Sequence, residues 1–136
     1  MASLSDYAEP LVLDHIWSDG AFTEPANIYM ALCTTIPTDA SLGTNIVEAT
    51  YTGYARKEIL ATDLSAATGS GKTNSAAITF AACTAGTSTI VGFAICDASA
   101  TGTGNIICWG TCTSKVIDTS NTPPTIGVGI LVITLD

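Results

Sequence analysis

The chain has 136 residues, with 12 Asp and Glu against 4 Lys and Arg, for a formal charge of −8 at pH 7. That length favours one domain with a modest core, and so acidic a surface repels phosphate backbones and anionic membranes, which argues against nucleic acid or membrane as a partner. Hydrophobic residues supply 47% of the chain and charged residues only 12%, too few to solvate long helical surfaces, so the small, β-branched and hydroxyl residues that remain point to an all-β domain.

In chain order, Leu4, Tyr7, Leu11, Leu13, Ile16 and Trp17 recur at helical intervals. Ser3 or Ser5 can cap the start, and Gly20 lies past the end. Pro10 is tolerated only in a first turn or at a kink, so the helix is placed over residues 10–18. Residues 1–25 as a whole read as a helix and arm attached to a single domain covering 1–136. No basic stretch followed by an apolar run opens the chain, and no signal peptide is expected.

"SDGAFTEPAN" is a loop. "IYMALCTT" follows with Ile28, Met30 and Leu32 on one face and Tyr29, Ala31 and Cys33 on the other. Two apolar faces suit a central strand. After the loop "IPTDASLGTN", "YTGYARKEIL" is strand-like, with Gly53 as a possible bulge. Four further β-rich runs close the chain: "AAITFAACT", "TSTIVGFAICDA", "NIICWGTCTSKVI" and "TIGVGILVITLD". Short strands separated by turn residues are the pattern of a sandwich or barrel. The longest apolar stretch, "IGVGILVITL", has the length of a strand and falls well short of a membrane-spanning helix.

"AATGSGKT", Ala66 to Thr73, has the relaxed spacing of a phosphate-binding loop. Such a loop needs a buried strand before it and a helix opened by its Lys-Thr, so that the helix amides face the phosphates. Here "TDLSA" leads in and "TNSAAITF" follows, one polar and the other β-alternating. A Gly/Ser-rich connection between strands is the expected reading.

The five cysteines, Cys33, Cys83, Cys96, Cys108 and Cys112, are odd in number and read as buried structural thiols. Cys108 and Cys112, four apart on one strand, would lie about 13 Å from each other, beyond disulfide reach. His15 is the one histidine, and Asp14 beside it points elsewhere on a helix. Neither a nucleophile elbow nor a metal-ligand spacing is present, so no enzyme activity and no cofactor are expected. Trp17 and Trp109 read as core or as subunit contacts.

The segments "ANIYMALCTTIPT", "GYARKEI", "IVGFAICDA", "IICWGTCTSKVI" and "GVGILVITLD", with the opening "LSDYAEPLVLDHIW", together resemble a family of small, tail-fibre-like structural proteins of tailed bacteriophages. The resemblance covers most of the chain and is weakest over residues 61–75. It implies a virion component without enzymatic activity. Similar small, acidic, all-β proteins cement capsids, often as jelly-roll trimers. The expectation is therefore a single-domain antiparallel β-sandwich, jelly-roll-like, with a short N-terminal helix. Its expected role is a capsid decoration (cement) protein on the outer capsid surface, homotrimeric, with the major capsid protein as partner. A tail-fibre or baseplate-associated binding module is the alternative. The N-terminal segment carries more apolar side chains than one small sandwich can bury, which makes Tyr7, Leu11, His15, Trp17 and Phe22 the candidate partner contact. Removal of residues 1–20 is expected to leave the β fold in place.

Overall fold

A computed structural model describes residues 2–17 and 20–134. Among these described residues, nine strands and one α-helix form a single all-β domain: Ala2–Leu4 (β1), Ala8–Ile16 (α1), Ile28–Cys33 (β2), Lys57–Ile59 (β3), Gly71–Thr73 (β4), Ile78–Thr79 (β5), Ser88–Cys96 (β6), Ile106–Ile117 (β7), Thr125–Ile126 (β8) and Val132–Thr134 (β9). Seven strands make one sheet in the order β3-β2-β6-β7-β1-β9-β4, and β5 pairs with β8 in a separate ribbon. Every pairing is antiparallel except β1–β9, which is parallel. This strand order does not confirm the jelly-roll-like arrangement expected for the domain.

The centre of the sheet follows from its residues. In β2, Met30 and Leu32 join the larger core with Ile59, Phe80, Ile90, Phe93, Ile95 and Ile117. Ala31 and Cys33 face the other way, into a small cluster with Ala94, Cys96 and Ile106. Both faces of β2 are therefore buried, as its uninterrupted apolar run requires. Ile46 and Trp109 pack against the small side chains of the second face, and beyond β3 the edge of β2 is continued by an isolated bridge between Cys33 and Glu48.

Several expected strands are shorter than the sequence suggests. "YTGYARKEIL" forms a strand only at Lys57–Ile59, with an isolated bridge at Thr52, and Gly53 sits in a turn at φ 102°. "AAITFAACT" is paired only at Ile78–Thr79. "IGVGILVITL" is no single strand: Gly129, at φ 73°, reverses the chain between β8 and β9. In each case a left-handed glycine or a backbone bond to a loop takes over from the ladder.

The helix runs from Ala8 to Ile16, two residues earlier than its expected start, with Pro10 inside the first turn. There its missing N–H costs nothing. Residue 18, the expected end, lies outside the described residues. Ser5 is the cap: its Oγ accepts from the Ala8 amide at 3.3 Å and donates to the carbonyl of Ile106, while its own carbonyl accepts from Ala8 and Glu9. One buried hydroxyl thus joins the helix start to β7.

The segment before it is no free arm. β1 is the strand that joins β7 on one side to β9 on the other, with Ala2 opposite both Gly110 and Ile133. Removing it detaches β9 and β4 from the rest of the sheet, which revises the expectation that residues 1–20 are dispensable to the fold. Three residues are too few to show an alternating pattern, and Leu4 falls in step with the helical apolar residues that follow.

Candidate interaction surface

Helix α1 divides the candidate contact residues between two faces. Ala8 is buried, and Leu11 and Val12 are half-buried, on the side turned to the protein. Tyr7, Leu11 and His15 stand four apart and share one row, with Phe22 attached to it by a 3.3 Å bond from its backbone N–H to His15 Nδ1. Trp17 belongs to the opposite face, in a row with Leu13 four residues before it, and Ile16 stands three residues from Leu13 on that side. That face is open: Leu13 is 55%, Ile16 63% and Trp17 78% exposed. The five expected residues therefore do not form one patch. The sequence reading passes over Leu13 and Ile16, although the spacing of 13, 16 and 17 was available to find them. Trp17 is not core. Trp109 is half-buried beside the smaller cluster, with its indole N–H donated to Asp39 Oδ1 at 3.0 Å.

A second set of exposed apolar side chains lies at the turn before β9. Val128 and Ile130, on the turn that Gly129 closes, and Val132, at the start of β9, are all exposed. The turn is held from beneath by Asn74, whose side chain is buried. Its Nδ2 donates to the carbonyls of Ala76 and Gly127 at 2.8 Å each, and its Oδ1 accepts from the Leu131 amide at 2.9 Å. Two large aliphatic side chains are thereby displayed on a fixed support.

The densest polar network surrounds the one buried ion pair among the described residues. Arg56 Nη2 lies 2.8 Å from Glu48 Oε1, and the two side chains are 0% and 2% exposed. Arg56 Nη1 also donates to the carbonyls of Ala98 and Thr103, and Nη2 to that of Gly43. Tyr54 donates its hydroxyl to Glu48 Oε2 at 2.7 Å and accepts from the Leu32 amide. Burial pushes the Tyr54 phenol up, and the bond to Glu48 adds to the effect. Burial alone would lower the Arg56 value, but its bonds to Glu48 more than offset that and hold the guanidinium charged. Nothing in "GYARKEI" announces that its Arg is interior, because its partners lie 8 to 47 residues away, earlier in the β2–β3 connection and in the loop after β6.

"AATGSGKT" is a hairpin. Thr68 bridges Gly71 across Gly69 and Ser70, and Gly71–Thr73 runs antiparallel to β9, with Lys72 opposite Ile133. The Thr73 amide is held by Ser65 Oγ at 3.1 Å. With a strand where a helix would have to begin, the amides face protein acceptors and not a phosphate.

Four thiols are buried and Cys112 is exposed, which corrects the expectation of five buried ones. Burial raises Cys33 and Cys108 to about 12 and Cys96 to about 11. These groups stay protonated and inert. Among the described residues, no three His, Cys, Asp or Glu side chains converge on a point that could hold a metal, and no helix is long and apolar enough to cross a membrane.

The family model described as "Podophage GP4 fiber I protein gp80" matches residues 3–134. No curated protein matches the chain.

Proposed function

The chain belongs to the podophage GP4 fiber I protein gp80 family, and from that membership, which carries a structural role in the virion of a tailed phage, we propose that it is a non-enzymatic fibre component that docks on a neighbouring virion protein through Leu13, Ile16 and Trp17. The carrying observation is the open apolar face of α1. Its three side chains project from a helix that is pinned to β7 through Ser5, so covering them orders little new structure. Burying each would contribute roughly 1.5–3 kcal/mol before the cost of association. Repeated copies add such modest contacts by mass action.

Self-association into a trimer is part of the proposal, and the patch at Val128, Ile130 and Val132 supports it as a second apolar surface on the same small domain. The fibre position agrees with the words of the family description. Capsid decoration, with the major capsid protein as partner on the outer shell, is the outcome that would displace it.

The test is assembly of phage carrying Leu13→Asp with Trp17→Ala. Both positions are exposed, so the purified variant keeps its melting temperature while incorporation into particles falls at least tenfold. Incorporation at the wild-type level would refute docking through this face. Electron cryomicroscopy of the wild-type particle then separates the positions: density on the tail supports the fibre, and density repeating over the shell overturns it. Light scattering that gives a monomer at high concentration would refute the trimer.

A further inference from the structure

A polar cleft of about 560 Å³ lies between the start of α1, the loop that leads into β2, and the loop that joins β6 to β7. Tyr7, Glu24, Asn27, Tyr29, Asp97 and Ser99 line it. We propose that this cleft binds a neutral, hydroxyl-rich saccharide.

The first argument is that the cleft is built. Its wall, the loop after β6, is fastened from behind at both ends by Arg56, through the carbonyls of Ala98 and Thr103 at 2.8 and 2.9 Å. Asp97 is fixed as well. Its Oδ1 accepts from the Asn105 backbone N–H at 2.7 Å and its Oδ2 from Asn105 Nδ2 at 2.8 Å. Gly104, at φ 75°, allows this approach, since a Cβ there would stand 2.3 Å from Asp97 Oδ1. One of only four cations in the chain is thus buried where it makes a surface loop rigid. Preorganisation of this kind is what a weak-affinity polar site requires.

The second argument is that its polar groups are unused. The side chains of Tyr7, Glu24, Asn27, Tyr29 and Ser99 hydrogen bond to no other described residue. Each Asp97 oxygen has a lone pair left after its bond to Asn105. Phenol, amide, hydroxyl and carboxylate groups therefore converge on one space without satisfying each other. Amides and carboxylates bridge vicinal hydroxyls, and the faces of two phenol rings suit the C–H face of a pyranose.

The third argument is charge. No Lys, Arg or His lines the cleft, two carboxylates do, and the chain carries −8. Phosphate, sulfate, uronate and sialate are therefore repelled. A metal ion is equally unsuited, because Glu24 and Asp97 have no third ligand beside them. A neutral sugar satisfies the hydrogen bonds without opposing the field. The volume falls within the range of small-molecule sites.

Saturation-transfer NMR on the purified full chain tests this with lactose, maltose and chitobiose, and with sialyllactose as the anionic control. The expected result is transfer to the ring protons of at least one neutral disaccharide, millimolar affinity and none for sialyllactose. Affinity should fall at least tenfold in both Tyr7→Ala and Asn27→Ala, whose positions are exposed and whose melting curves should match the wild type. The proposal is overturned by silence from all three neutral sugars, by preference for the anionic sugar, or by binding that survives both substitutions. Because the readout uses purified protein, its failure leaves the virion role and the docking face of α1 untouched.

Discussion

Replacing Arg56 with Ala should be the most damaging single change in this protein. The side chain has three consequences attached to it. It neutralises a Glu48 carboxylate that is 2% exposed, through contacts of 2.8 and 3.2 Å. It satisfies the carbonyls of Gly43, Ala98 and Thr103. It also ties the β2–β3 connection, which carries Gly43, Glu48 and Arg56 itself, to the loop after β6. Removing one member of a buried ion pair costs about 3–5 kcal/mol, because the remaining charge stays buried without a partner. Water entering the space left by the guanidinium would satisfy part of the carbonyl demand and keep the total within that range. A domain of this size has roughly 7–20 kcal/mol of stability, so the variant loses a large share of it. At about 4 °C per kcal/mol, the melting temperature should fall by roughly 10–20 °C, read by circular dichroism and checked by urea unfolding. A double variant, Glu48→Leu with Arg56→Met, removes the uncompensated charge and should be more stable than Arg56→Ala alone, though the orphaned carbonyls keep it below wild type. A loss of under about 1 kcal/mol in Arg56→Ala, or a double variant no better than the sum of its parts, would refute the reasoning.

Asn74→Ala removes the support of the Val128–Ile130 turn and should cost about 2–3 kcal/mol in urea unfolding, since the Leu131 amide loses its buried partner. A cost below about 0.5 kcal/mol would show that water replaces the side chain. Native protein should react rapidly with a thiol reagent at one equivalent, Cys112, and with five after unfolding, and Cys112→Ser should abolish the rapid phase. Fast labelling of a second thiol in the native state would contradict the burial of Cys33, Cys83, Cys96 and Cys108. Stability should be lost at alkaline pH. The buried thiols Cys33, Cys96 and Cys108 titrate at about 12, 11 and 12 when folded, against a usual value of 9.0. Raised values favour the folded state fully below pH 9. That advantage then declines as the unfolded thiols ionise first, by at most roughly 1.4 kcal/mol per pH unit for each. A urea midpoint unchanged between pH 8 and pH 10.5 would refute this.

What the sequence discloses here is what periodicity can carry. β2 is legible because "IYMALC" is apolar on both faces and bounded by turn residues, which is enough to place it inside a sheet. β6 is legible for the same reason, as is the first half of β7, Ile106–Gly110; beyond it Thr111–Val116 is exposed. β1 is invisible: "ASL" is too short for a period of two, and the helix beside it imposes its own spacing on Leu4. The jelly-roll expectation exceeds the signal, since strand order is decided by pairing at a distance and leaves no local trace. The helix was legible, but which of its faces points outward was not. Ala8, Leu11 and Val12 are no more apolar than Leu13, Ile16 and Trp17, so only the position of β7 decides which set is covered. Arg56 shows the limit most clearly. Its partners Glu48, Ala98, Thr103 and Gly43 are separated from it by 8 to 47 residues, and no pattern in one sequence joins them.

Low charge and an interior cation belong to one design. With 16 charged residues among 136, the surface has little means of keeping loops apart or in place by salt bridges, which contribute little in any case when exposed. The β2–β3 connection around Gly43 and Glu48 and the loop after β6 are ordered instead by a single guanidinium, whose five donors can satisfy several carbonyls at once as no Lys could. Close packing completes the arrangement. A Cβ on Gly43 would stand 2.2 Å from the carbonyl oxygen of Thr103, so the two loops touch backbone to backbone and neither can shift without breaking bonds to Arg56. Rigidity is thereby concentrated beneath the cleft, while the apolar face of α1 stays bare on a helix whose other side, at Ala8, Leu11 and Val12, is turned to the protein. The two surfaces suit different partners: one selects by hydrogen bonds held in place, the other adheres by area.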